Sequence, residues 1–135
     1  MAAWPSCGDG LLSICLVAGA ATIALLASEM TLAWDHSVER IRWEEDWRAR
    51  PAGLELLEAR VRGSGAGMDP PPEAQFRDGW WRWRPALSSL REVTLRRSGA
   101  TADWRICRAG QCEPIGRFVP LDADPVILKP CDPGR

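Results

Sequence analysis

The chain has no tyrosine, two phenylalanines and a single histidine among 135 residues. One imidazole cannot build a His-rich metal site. Neither charge sign is in excess: 17 basic and 18 acidic residues leave a net charge of −1. There is therefore no global basic field of the kind nucleic acid draws. Acids and bases alternate along the chain, as on an ordinary solvated surface. No repeat or low-complexity segment is visible, and no Lys or Arg precedes Arg40, so the N-terminus lacks the positive region of a secretory signal. Against these shortages stand eight tryptophans. The length is near the mode for one domain and sufficient to bury a core.

Residues 11–28 are largely apolar, just long enough to span a bilayer. Gly19 and its alanine neighbours also divide the run into two short segments that suit a buried hairpin. The residues alone leave both readings open. Beyond them the chain reads as strands. Leu32, Trp34 and His36 share one face of an alternating stretch. Trp43, Glu45 and Trp47 share a face of the next, with Glu44, Asp46 and Arg48 opposite. Residues 54–62 are apolar at 54 and 56, then at 57, 59 and 61, a phase slip that predicts a β-bulge. Asp78-Gly79 opens a Trp/Arg alternation, and further strands are expected at 90–97, 102–107 and 126–129. Many short strands punctuated by Gly and Pro predict an all-β, antiparallel β-sandwich or partly closed β-barrel.

Cys107 and Cys112 flank a four-residue loop containing glycine, so a hairpin would set them at disulfide-bridging distance. Cys15 and Cys131 are open to a second pairing, and Cys7 is left over. Between Gly63 and Gly67 no side chain exceeds a hydroxymethyl group. Such backbone is costly to order and marks a ligand, a reversal or another chain. It lacks the Lys-Ser/Thr pair and following helix of a phosphate loop, and three prolines follow it instead. Hydrolysis by His36 with Ser37 or Ser64 is disfavoured. Adjacent strand residues point to opposite faces, and Ser64 lacks the Gly-x-Ser-x-Gly frame. Glu44 and Asp46 share a strand face and could converge on calcium, but cross-strand pairing with Arg40, Arg42, Arg48 and Arg62 is the simpler expectation. In Trp80-Trp81-Arg82-Trp83-Arg84, the alternation assigns Trp81 and Trp83 to the core and leaves Trp80 as an exposed contact.

Three blocks carry a family resemblance: Asp35-His36-Ser37-Val38-Glu39, then Trp43-Glu44-Glu45-Asp46-Trp47-Arg48, then Arg62-Gly63-Ser64-Gly65-Ala66-Gly67-Met68. In order and separation they resemble the bacterial family known as domain of unknown function 1850. The similarity extends through Asp78-Gly79-Trp80-Trp81 and more weakly to Ser98-Gly99-Ala100-Thr101 and the Cys107 hairpin. The resemblance implies a strand pair at 14–17 and 22–27, so the apolar run becomes strands rather than an anchor. It implies one β domain over 12–131, with tails at 1–11 and 132–135. Members are often encoded beside TRAP-type transporters of the TAXI class. This implies a non-enzymatic accessory or binding protein of organic-anion uptake, contacting the transporter membrane subunit or the solute-binding protein. A periplasmic or membrane-associated location follows, with a cytoplasmic one as the alternative. The alternative function is a small-anion or metal-binding module near His36, Glu45 and the 63–68 loop. The binding candidates are His36, Ser37, Glu39, Glu44, Glu45, Arg62, Gly63, Ser64, Gly65, Ala66, Gly67, Met68 and Trp80. No catalytic residue, metal or cofactor is expected, and His36, Ser37, Glu39, Glu45 and the loop are expected to lie together.

Overall fold

The computed structural model describes residues 12–35, 41–63, 70–99 and 101–133. Its strands are β1 (Ser13–Ala18), β2 (Ala21–Ala24), β3 (Glu29–Asp35), β4 (Arg42–Arg50), β5 (Gly53–Arg62), β6 (Gln75–Arg77), β7 (Trp80–Trp83), β8 (Val93–Leu95), β9 (Arg105–Arg108), β10 (Gln111–Pro114) and β11 (Val126–Cys131). They form two antiparallel sheets, one in the order β2-β1-β11-β8 and one in the order β10-β9-β3-β4-β5-β7-β6. The sheets are not closed into a barrel, so of the two expected architectures the sandwich is the one adopted.

Period-two patterning explains the core. Met30 and Leu32 of β3, Trp47 and Ala49 of β4, and Leu54 and Leu56 of β5 are buried on the inner face of the large sheet. They meet Ile14 and Leu16 of β1, Leu95 of β8 and Val126 and Leu128 of β11 from the small one. Each such aliphatic side chain contributes about 1.5–3 kcal/mol on burial. The described part of the apolar run, residues 12–28, thus contains two strands of the small sheet, β1 and β2. Both were expected there, and among the described residues no helix is long and apolar enough to cross a membrane.

The phase slip in β5 is a bulge. Asp46 faces Glu58 while Trp47 faces Leu56, so Leu57 is the extra residue and the ladder shifts between Asp46 and Trp47. The slip lets Leu54 and Leu56, then Ala59 and Val61, all turn to the core. Gly53, which opens β5, has φ +146°, and a Cβ there would lie 2.3 Å from the Leu90 carbonyl oxygen. That close approach serves a backbone bridge: Leu54 and Leu90 exchange two hydrogen bonds of 2.6 and 2.9 Å.

Two strands are shorter than the pattern predicts. Leu90 pairs with Leu54 of the large sheet, whereas Val93–Leu95 pairs with β11 of the small one, so this segment crosses between layers. Residues 102–104 leave the ladder because the Asp103 carboxylate accepts hydrogen bonds from the backbone N–H of Trp104 and Gly116 and from Arg97. The edge strand β6 carries no sequence signal, being three exposed residues. The β6–β7 connection is a two-residue turn in which Asp78 and Gly79 both take positive φ, the conformation that matches strand twist.

Candidate functional site

The outer face of the large sheet carries most of the charge singled out in the sequence. Cross-strand register sets Glu44 opposite Arg60, Asp46 opposite Glu58 and Arg60 opposite Arg82. Arg60 is the hub. Its Nε donates to Glu44 at 2.8 Å, and its Nη1 donates to Asp46 and Glu58, each at 2.8 Å. Arg42 donates to the second oxygen of Glu44, Arg82 to Glu58, and the Thr31 hydroxyl to Asp46 at 2.6 Å. The Arg60 side chain is only 13% exposed. Burial acts to raise the Asp46 carboxyl, but the bonds from Arg60 and Thr31 outweigh it and hold the group below its ordinary value. Burial likewise opposes the Arg60 charge, and its carboxylate partners more than offset that, raising its pKa above the ordinary value. The two carboxylates that shared a face for calcium are therefore already bridged by a guanidinium. Among the described residues no group of three or more His, Cys, Asp or Glu is placed to hold a metal.

Arg62 does not join this ion-pair ladder as expected. Its guanidinium lies 5.3 Å from the centroid of the Trp80 ring, with that of Arg60 at 5.9 Å. Trp80 is accordingly half-buried rather than fully exposed. Arg60 is the residue the sequence reading missed. Once the bulge is placed, the alternation from Glu58 puts it on the same face as Glu44 and Asp46.

The inner face is aromatic. Trp34 stacks on Trp43 with centroids 6.0 Å apart and planes 8° from parallel. Trp104 lies 5.1 Å from Trp34, and Trp83 meets Trp43 edge-on at 6.2 Å. Trp81 and Trp83 lie opposite Val61 and Ala59 and so share the inner face, but both are only half-buried and neither belongs to the hydrophobic core, so the core assignment holds for the face alone. Glu45 stands on this face between Trp43 and Trp47. It accepts a hydrogen bond from Trp47 Nε1 at 3.2 Å, and burial pushes its carboxyl above the usual range while that bond pulls it back. The sheet itself separates Glu45 from Glu44, Arg62 and Trp80, so these candidates do not form one site.

His36, Ser37, Glu39, Ser64, Gly65, Ala66, Gly67 and Met68 lie outside the described residues. The strands that lead to them end at one margin. Asp35 pairs with Arg42, Trp43 with Val61 and Arg62 with Trp80, while the Gly63 N–H donates to the Gly79 carbonyl at 2.8 Å. Glu45 sits inward of that margin, opposite Leu32 and Ala59.

A family model, described as Domain of unknown function (DUF1850), matches residues 30–115. The chain belongs to the DUF1850 family. Among curated proteins and solved structures none matches it. The matched span runs from β3 to β10 and so contains nearly all of the seven-stranded sheet, while β1, β2 and β11 of the small sheet lie outside it. Both the ion-pair ladder and the tryptophan row are thus features of the DUF1850 portion.

Where that portion meets the loop that precedes β11, the protein has a cavity of about 600 Å³, lined in part by Trp34, Trp104, Leu121, Arg96 and Asp124. Its walls are set in advance. Trp34 is held by its stack on Trp43, and Trp104 Nε1 donates to the Arg96 carbonyl at 2.9 Å. Arg97 is held by the Asp103 carboxylate and by the Pro120 and Ala123 carbonyls. The Arg96 side chain is 73% exposed and, among the described residues, donates to the Asp124 carboxylate, whose pKa the Arg96 pair and the Arg97 N–H hold low. The sequence reading did not find this cavity, because its lining comes from three segments far apart in the chain.

Proposed function

We propose that this DUF1850 protein is a non-enzymatic binding module, an accessory component of a TRAP-type organic-anion uptake system of the TAXI class. Its partner is the transporter membrane subunit or the solute-binding protein. The observation that supports this reading is the Arg62–Trp80 pair at the margin of the large sheet. Trp and Arg are the side chains that dominate binding energy at protein interfaces, and here they are already ordered against each other. Two disulfide-bonded pairs, Cys15–Cys131 and Cys107–Cys112, fit an oxidising, periplasmic setting. The test is binding of the purified chain to each of the two purified transporter components. A complex that Trp80→Ala and Arg62→Ala weaken tenfold or more supports the proposal. No complex with either component at micromolar concentration overturns it.

A second reading takes the 600 Å³ cavity as a small organic-anion site, with Arg96 as the carboxylate partner and Trp34 and Trp104 as apolar walls. The exposed Arg96–Asp124 pair is weak enough for a ligand carboxylate to displace. A thermal shift with aromatic or aliphatic carboxylates that Arg96→Ala abolishes supports it, and a flat screen rejects it.

A further inference from the structure

The two disulfides stand in opposite settings. Cys15–Cys131 joins residues 116 apart, ties β1 to the end of β11, and has Cys15 only 1% exposed. Cys107–Cys112 joins residues five apart that face each other directly in the β9–β10 hairpin. That hairpin is already closed without it. Arg108 pairs with Gln111 and Ile106 with Glu113, and the turn residues Ala109 and Gly110 both take the positive φ of a primed two-residue turn. The bond is therefore redundant for topology.

It is also accessible and charge-assisted. Cys112 is exposed, and Cys107 lines two shallow openings shared with Thr31, Arg60 and Arg108. Arg42 places Nη2 3.8 Å from Cys112 Sγ, and its own Nε is fixed on Glu44 at 2.8 Å. A fixed guanidinium beside a sulfur favours the thiolate over the thiol, and a better-stabilised thiolate leaves faster in exchange. At Cys15–Cys131, Cys15 is buried and Cys131 half-buried, and among the described residues no arginine is placed on either sulfur as Arg42 is on Cys112.

We propose that Cys107–Cys112 is a thiol–disulfide exchange site whose substrate is an external dithiol. One thiolate of the dithiol attacks Cys107 Sγ. The Cys107–Cys112 bond breaks, and its electron pair leaves on Cys112 Sγ beside Arg42. The second thiolate of the dithiol then attacks its own sulfur in the mixed disulfide and expels the Cys107 thiolate. The dithiol becomes a disulfide, and Cys107 and Cys112 take up two electrons and two protons. The reverse sequence oxidises the hairpin again. Cys15–Cys131 holds the fold throughout.

The test exposes the intact oxidised protein to dithiothreitol at pH 7, quenches with a maleimide at intervals, and maps the labelled cysteines by peptide mass analysis. Cys107 and Cys112 are expected to label together at least tenfold faster than Cys15 and Cys131, with the far-UV circular dichroism of the intermediate unchanged. Arg42→Gln is expected to slow that step several-fold, and Arg42→Lys to restore most of it. Reduction of both disulfides at one rate, or loss of the β signal as Cys107 and Cys112 are reduced, would overturn the proposal. So would an Arg42→Gln rate equal to that of the wild type.

Discussion

Arg60→Met is the most direct probe of the outer face. The substitution keeps an apolar stem but removes the guanidinium shared by Glu44, Asp46 and Glu58. An isolated exposed ion pair contributes about 0.2–1 kcal/mol, whereas breaking a buried one costs about 3–5. This network lies between those limits: Arg60 and Glu44 are 13% and 14% exposed, while Asp46 and Glu58 are 32% and 30% exposed. The expected loss at pH 7 is about 2–3 kcal/mol, or a fall in Tm of roughly 8–12 °C. The loss should depend on pH with a defined sign. Asp46 titrates below its ordinary value in the fold, so its contribution is full above about pH 3.9 and disappears as pH falls through the lower folded value. Thermal unfolding followed by circular dichroism at pH 7 and pH 2 measures both. The wild type and the variant should converge in acid, and Arg60→Met combined with Glu44→Gln and Asp46→Asn should recover part of the loss at pH 7. A loss under about 0.5 kcal/mol at pH 7, or an undiminished difference at pH 2, would refute the account.

Glu45→Gln should stabilise the protein at neutral pH by about 0.5–1 kcal/mol, because burial penalises the charged form and the amide oxygen still accepts from Trp47. The sign is opposite to that of Asp46: the penalty is absent below about pH 4.3 and grows as pH rises to the higher folded value, so the gain should vanish in acid. Gly53→Ala should cost about 2–4 kcal/mol in chemical denaturation, since the new methyl meets the Leu90 carbonyl and the backbone angle is strained for any side chain. Replacing Cys15 and Cys131 together by Ala should cost about 3–5 kcal/mol in the same measurement. The same change at Cys107 and Cys112 should cost about 2 or less, because a five-residue separation constrains the unfolded chain far less than one of 116.

Several elements are legible in the chain alone because they depend on local periodicity. The alternation Trp43, Glu45, Trp47 identifies β4 and the residues that share each of its faces, and the slip from Leu56 to Leu57 marks the bulge. The run at 11–28 is harder, since apolar strands and an apolar span share one composition, and only the family resemblance leads to β1 and β2. The candidate site is less legible. Glu44, Glu45, Arg62 and Trp80 are close in the pattern, yet the pleat puts Glu45 on the opposite side of the sheet from the other three.

By itself the sequence determined the strand class, which residues of an alternating strand share a face, and the membership of the DUF1850 family, because each rests on neighbours two residues apart or on short ordered blocks. The tertiary structure alone decided that Arg60 is the hub of the charged face, that Arg62 stacks on Trp80, and that Trp34, Arg96 and Leu121 line one cavity. Those facts depend on strand order and cross-strand register. The register is set by the summed packing of two sheets against one core, a sum that no single segment carries.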